Sequence, residues 1–331
     1  MPGPDVLAAA AILLALILYT VTGGADFGGG VWDLFASGPR ARLQRETVAR
    51  ALAPIWEANH VWLIAVVVLL FVAFPAAFAT ICTMLYVPLM LMLIGIVLRG
   101  AAFAFRSYAP GSPSGWDRLF AVSSLVTPVM LGTVAGAVAS GRVRAVAPGP
   151  RASVDFLSSW LAPFPVAIGL FTLALFAFLA AAYLTLETDD PLLKEDFRLR
   201  ALVAGAAVGV LAWACFLLAG SGAPRIRHGL GARVWSVPFQ AATAAVAVSA
   251  LWALWDRRYP LARWLAAAQA SLIVLGWGLS QYPYLVAPDL TIAGAAALPE
   301  VLRPVLWVLA AGGALLAPSF WYLFRIFKGR R

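Results

Sequence analysis

Nine apolar runs, each long enough to cross a bilayer, constrain this chain more than any other feature. A spanning helix needs about 20 mostly apolar residues, because the hydrocarbon core is about 30 Å thick and each helical residue rises about 1.5 Å. Such runs fall at roughly 6–33, 50–74, 78–105, 118–140, 158–187, 200–219, 237–255, 264–283 and 302–325. In hydrocarbon, backbone polar groups have to be satisfied within the segment, so runs of this length imply helices. Of the 331 residues, 63% are hydrophobic and 12% charged, against about 25% charged in soluble domains. The expected fold class is all-α: a polytopic membrane protein of about nine transmembrane helices, forming a single integral membrane domain over 1–331.

The net charge of +9 reads as topology. Most of the Lys and Arg lie in alternate gaps: Arg40, Arg42, Arg45 and Arg50; Arg99, Arg106 and Arg118; Lys194, Arg198 and Arg200; Arg257, Arg258 and Arg263; and the tail from Arg325. Basic residues collect in cytoplasmic loops, so the N-terminus is expected outside and the C-terminus in the cytoplasm. No long basic segment stands apart from the spans, which argues against nucleic acid as a partner and for membrane lipids. The start of the chain has no signal-peptide pattern, since Asp5 stands where a basic region belongs. The first run is therefore read as a retained helix. Cys82 and Cys215 both lie inside apolar runs, which fits neither a disulfide framework nor a zinc site.

Ionisable groups inside a span are costly, and functional by default. Asp26 lies far along the first span, and Glu57 early in the second, where "PIWEANHVWL" also supplies Asn59 and His60. Three residues separate Glu57 from His60, which places them on one helix face. Arg99 lies near the end of the third span. The topology puts all of these at one membrane level, in the cytoplasmic half. Carboxylates and histidine in a low-dielectric setting suit proton relay, with Asn59 orienting water. Asp26 and Arg99 also read as a structural ion pair between helices. Asp33 and Glu46 read as a solvated or interfacial face, and Glu187 as interfacial or part of a polar entrance. Trp56 is a candidate interfacial anchor, and Trp62 a packing residue against a partner subunit. The glycines of "GGADFGGG" have no strand before them, so Gly24 and Gly28 read as close helix packing. Haem is disfavoured: of the two histidines, His60 lies in a span and His228 in a loop on the opposite side.

Four stretches carry a resemblance: "YTVTGGADFGGGVWDLF", "APIWEANHVWLI", "LIGIVLRGAAFAFRS" and "WGLSQYPYLVAPDLTI". Together they resemble subunit II of the cytochrome bd-type quinol oxidases, including the cyanide-insensitive branch. The resemblance implies two four-helix bundles plus a peripheral helix, here 1–140 and 158–325. It implies a partner, the haem-bearing subunit I, in a hetero-oligomer of the bacterial cytoplasmic (inner) membrane, with room for small accessory subunits. Haem b and haem d are expected in that partner, none in this chain, and quinol is the substrate of the complex. Asp26 and Glu57 match the acids that the family associates with a cytoplasmic proton path. Many members carry an acid where this chain has Gly23, so the relay here is sparser, and some have glutamine at the position of His60. The alternative class is a proton-coupled secondary transporter, which also keeps acids in broken helices. No internal sequence repeat supports it.

Overall fold

The computed structural model describes residues 2–52, 56–108, 115–145 and 157–328; the side chains of 56–58, 107–108, 324 and 327–328 lie outside the description. The chain is helical along most of its length. In order come α1 (Pro4–Leu34), α2 (Ala41–Leu52), α3 (Trp56–Ala73), α4 (Pro75–Met84), α5 (Tyr86–Tyr108), α6 (Gly115–Ser140), α7 (Pro163–Leu184), α8 (Pro191–Gly222), α9 (Pro224–Gly231), α10 (Ser236–Trp255) and α11 (Tyr259–Gln281). A two-stranded hairpin follows, β1 (Tyr284–Val286) and β2 (Leu290–Thr291), then α12 (Ile292–Ala295) and α13 (Pro299–Lys328).

Helices occupy each of the nine expected positions. Among the described residues, seven helices are long and apolar enough to cross a membrane, or eight if the bent pair α3–α4 counts as one span. The chain is thus an all-α polytopic membrane protein with a minor hairpin. α11 is not among those seven; Gln269, Ser271, Ser280 and Gln281 dilute its apolar character.

Three boundaries depart from the sequence expectation. The run 78–105 holds two helices: α4 leaves α3 at an angle of 118°, and α5 begins only at Tyr86. Pro75 explains the first break. It lacks an N–H and its ring collides with the preceding turn, so α3 stops at Ala73 and Pro75 restarts the chain at the first position of α4. The start of the run 50–74 belongs to a separate amphipathic helix, α2. Its buried residues Gln44, Thr47, Val48, Ala51 and Leu52 follow the i, i+3, i+4, i+7, i+8 stripe of a surface helix. The Pro-rich stretch after α11 is an antiparallel hairpin rather than a loop, and His228 sits in the last turn of α9.

α1 is the hub. It packs against α3, α6, α7 and α11, and α7 in turn packs against α6 and α8. Glycine permits the closest of these crossings. A Cβ on Gly28 would lie 1.9 Å from the Phe176 carbonyl oxygen, and one on Gly24 would lie 2.7 Å from the Phe176 ring. Close backbone approach of this kind gives helix association in a bilayer, where lipid offers apolar side chains no advantage in burial. One turn further, Trp32 Nε1 donates to the Ala177 carbonyl at 2.7 Å. α2 docks on α8: Arg40 and Gln44 both donate to the Asp196 carboxylate, at 2.6 and 2.8 Å. α13 touches α1 and α3 and is the least buried of the seven candidate spans.

Gly28→Ala is expected to cost about 3 kcal/mol, because the added methyl meets backbone and cannot be absorbed by a side-chain rotation. Gly312→Ala, at a position with open space around it, is expected to leave stability unchanged or slightly higher. Thermal denaturation of the two detergent-solubilised variants measures this. A Gly28→Ala midpoint equal to that of the unaltered protein would contradict the packing argument.

Candidate functional site

α1 carries an aspartate on each of two successive layers. Asp26 and Asp33 lie seven residues apart, two helical turns, so they share a face. On α5 the same interval separates Arg99 from Arg106. The two helices meet in a register that pairs Asp26 with Arg99 and Asp33 with Arg106.

The inner pair is almost wholly removed from solvent. Arg99 is 2% exposed and Asp26 1%. Arg99 Nη1 donates to Asp26 Oδ2 at 3.0 Å, and Nη2 to Oδ1 at 2.9 Å. Nη2 also reaches the Asp26 backbone carbonyl at 2.9 Å, and Nε donates to Ser124 Oγ on α6 at 3.1 Å. Four of the five guanidinium N–H groups thus have acceptors. The flat faces are covered as well, with Phe27 at 4.7 Å and Phe120 at 5.0 Å from the guanidinium carbon. A buried charge persists only with such complete pairing.

The outer pair is nearer the surface. Arg106 holds Asp33 through both Nη atoms at 3.2 Å and Asp117 through Nε at 2.7 Å. Its guanidinium lies 4.8 Å from the Phe120 ring, so that ring contacts both arginines. Asp33 is 4% exposed, which corrects its expected place on a solvated face. The signal was present: two aspartates and two arginines repeat at the same interval on two helices. Glu46 remains at the surface, paired with Arg42 at 2.8 Å.

The second-helix motif divides. Glu57 and Trp56 lie on the first turn of α3, but their side chains fall outside the described residues. Asn59 is 1% exposed, and among the described residues neither its oxygen nor its nitrogen has a hydrogen-bond partner. Buried amides of that kind are ordinarily satisfied by ordered water. His60 stands between two rings of α1, 6.3 Å from Tyr19 and 6.1 Å from Phe27. Since Phe27 also covers Arg99, His60 and the Asp26–Arg99 pair share one aromatic wall. Trp62 stacks on Phe320 of α13 at 5.4 Å. Trp62 thus packs, as expected, and one of its ring partners lies in this chain.

On another side of α1 a cavity of about 170 Å³ opens between α1, α2, α7 and α11. Asp26 and Thr22 contribute to its wall from α1, Tyr183 from α7, Arg263 from α11, and Glu187 from the turn after α7. The sequence left Glu187 as interfacial or part of a polar entrance, and did not link it to Asp26.

These residues do not fit a haem. The cavity wall contains no histidine, methionine or cysteine. His60 is enclosed by Tyr19 and Phe27, and among the described residues no cluster of three His, Cys, Asp or Glu side chains suits a metal ion.

Comparison with known proteins agrees with this architecture. In fold, the chain is similar to the bd oxidase from Geobacillus thermodenitrificans, with a TM-score of 0.79 over 99% of both chains at 21% identity. In sequence, it is 30% identical over 215 residues to the cytochrome bd-I ubiquinol oxidase subunit 2 of Escherichia coli (strain K12), covering 62% of this chain and 53% of that protein. It is 33% identical over 113 residues to the cytochrome bd ubiquinol oxidase subunit 2 of Bacillus subtilis (strain 168), covering 34% of this chain and 33% of that protein. The matched stretches thus span about a third to a half of these relatives. The profile of cytochrome bd terminal oxidase subunit II matches residues 4–327, nearly the whole length, so the chain belongs to the cytochrome bd terminal oxidase subunit II family.

Proposed function

We propose that this chain is the non-haem subunit of a terminal oxidase that couples quinol oxidation to the reduction of oxygen to water. The family match over residues 4–327 carries the reading, and the buried polar groups at one end of α1 give it chemical content. In this reading the chain stabilises the haem-bearing subunit I, which holds haem b and haem d and performs the electron chemistry. The helices group as two four-helix bundles, 1–140 and 158–325, with α13 peripheral. The assembly lies in the bacterial inner membrane, N-terminus outside and C-terminus in the cytoplasm.

The chain's own contribution to turnover is proton supply. Reducing oxygen to water consumes a proton for each electron, and those protons cross a low-dielectric region. Water conducts there only where polar or ionisable groups hold it in place. Glu57 takes protons at the cytoplasmic start of α3, Asn59 fixes water beside it, and His60 continues the route along the wall that it shares with Asp26. Arg99 has a different part. A guanidinium is a permanent cation, so it holds Asp26 and the α1–α5–α6 junction in place rather than carrying protons.

This division of labour separates the variants. Arg99→Leu is expected to reduce the yield of assembled complex, since removing one member of a buried pair costs about 3–5 kcal/mol by stranding the other. Asp26→Asn keeps volume and hydrogen bonding and is expected to assemble better. The measurement is complex recovered per unit of membrane, and equal recovery of Arg99→Leu and the unaltered protein would remove the structural role.

Glu57→Gln is expected to assemble with normal haem content but to consume oxygen about a hundredfold more slowly per haem, as losing a positioned proton carrier does. Glu57→Asp is expected to retain part of the rate, limited by its shorter reach. Quinol-driven oxygen uptake by the purified complex, from mildly acidic to mildly alkaline pH, is the assay. A Glu57→Gln rate equal to that of the unaltered complex at every pH shows that Glu57 is dispensable.

A further inference from the structure

The cavity between α1, α2, α7 and α11 meets Asp26 from the side of α1 that faces α7 and α11, away from the Glu57 motif on α3. Its lining sets a direction. Glu187 lies past the last turn of α7, and Arg263 in the first turns of α11. Both therefore stand at the end of the molecule where these helices terminate. From there the wall runs along α7 through Leu184, Tyr183 and Ala180, and along α1 through Gly29, Asp26 and Thr22. The Tyr183 hydroxyl donates to the Val21 carbonyl at 3.4 Å, across the α1–α7 seam. Arg263 lies 5.2 Å from the Tyr183 ring, and Thr22 Oγ1 donates to the Leu18 carbonyl at 2.8 Å, which leaves its oxygen able to accept.

We propose that this cavity is a second proton entrance to the subunit, with Glu187 as the carrier at its mouth and the Asp26 carboxylate at its inner wall. The space is large enough for several waters, because one water needs only about 10–15 Å³ of such volume. Its wall is mostly apolar, with polar residues at intervals along it: Glu187 and Arg263 at one end, then Tyr183, Asp26 and Thr22. Arg263 leaning on the Tyr183 ring keeps a cation beside the opening without closing it. In the transfer, the Glu187 carboxylate accepts a proton from hydronium in bulk solvent, which leaves as water. The acid so formed gives its proton to a cavity water and returns to carboxylate. That water passes the proton inward to Asp26, where Arg99 fixes the carboxylate in place through both oxygens. Asp26 returns to carboxylate by releasing the proton to water toward His60, the titratable ring beside Phe27.

The inference rests on the reading of this chain as a proton-delivering oxidase subunit, and the experiment separates the two. In the purified complex with saturating quinol, oxygen consumption per haem is measured for Glu187→Gln, Glu187→Asp, Ala267→Leu, Glu57→Gln and the double variant Glu57→Gln/Glu187→Gln, in water and in deuterium oxide. Ala267 lines the cavity, and leucine there fills it without touching a charge. Expected results are a slowing of about threefold for Glu187→Gln and for Ala267→Leu, recovery of most of the rate in Glu187→Asp, and a further loss of about tenfold when Glu187→Gln is added to Glu57→Gln. The deuterium effect is expected to rise in Glu187→Gln, which a merely structural role would not produce. Unaltered rates for both Glu187→Gln and Ala267→Leu, with Glu57→Gln slow and no further loss in the double variant, would overturn the second entrance and leave the α3 route standing. A Glu187→Asp variant as slow as Glu187→Gln would also overturn it. Slow cavity variants with an unaffected Glu57→Gln would support the entrance and remove the α3 route instead. If Glu187→Gln loses haem, the cavity-filling variant decides on the same criteria.

Discussion

The pairing of Arg99 with Asp26 holds the rest of the architecture in register. Moving two charges out of water is costly, and their attraction offsets that cost only when geometry is complete. Here both carboxylate oxygens, a backbone carbonyl and Ser124 Oγ accept from the guanidinium, and two phenyl rings cover its faces. These partners come from α1, α5 and α6. A shift of one helix along another by a single residue would strand a charge in an apolar interior. The pair therefore fixes axial position, which apolar contacts among Leu, Ala and Val define only loosely. Arg106 repeats the device two turns away with Asp33, and Phe120 stands between the two layers.

α1 does several jobs because its faces differ. Residues two apart on a helix point about 200° away from each other. Gly24 turns toward Phe176 on α7, so Asp26 turns the other way, toward Arg99 on α5. Thr22 and Ala25, with Gly29, border the cavity between these directions. Phe27 meets His60, Phe176 and Arg99. The glycine-rich segment is thus a compact junction. Small residues draw α7 in closely, and a buried salt bridge and a cavity sit within the same two turns.

Much of this was legible in the sequence, and the exceptions have physical causes. The positions of the long helices follow from apolar length alone, and the role of Gly24 and Gly28 from their four-residue spacing. The charges of the first and third helices converge as their depth suggested. The breaks at Pro75 and Tyr86 were hidden because both sides of each are apolar, and hydropathy carries no information on bending. α2 was missed since its apolar stripe is short and interrupted by Gln44 and Thr47, both buried, Gln44 against Asp196 and Arg200 of α8. Asp33 was misplaced because a carboxylate near a helix end resembles an interfacial one until its partner is known. Arg106, the partner, is distant in sequence, and only the matching interval on both helices reveals it. The contact of Trp62 with Phe320 was hidden for a similar reason: α13, which supplies it, is the last helix in the chain.

The arrangement also separates fixed from titratable charge. Arg99 and Arg106 are permanent cations, each held by a carboxylate and a shared ring. Titratable groups flank them: His60 on the α3 side, Glu187 on the side of α7 and α11. The buried ion pair between two such regions holds the Asp26 carboxylate in one orientation, so it does not have to move to meet a proton. Water near Asp26 meets an oriented carboxylate whose direction is set by Arg99 rather than by the water itself. Preorganised dipoles of this kind act without reorganising at the moment of transfer. A structural reading and a proton-handling reading of the Asp26–Arg99 pair are thus compatible. The rigidity that locks α1 to α5 and α6 also keeps the acid fixed where it borders the cavity, and loss of that position would impair transfer even where the fold survives.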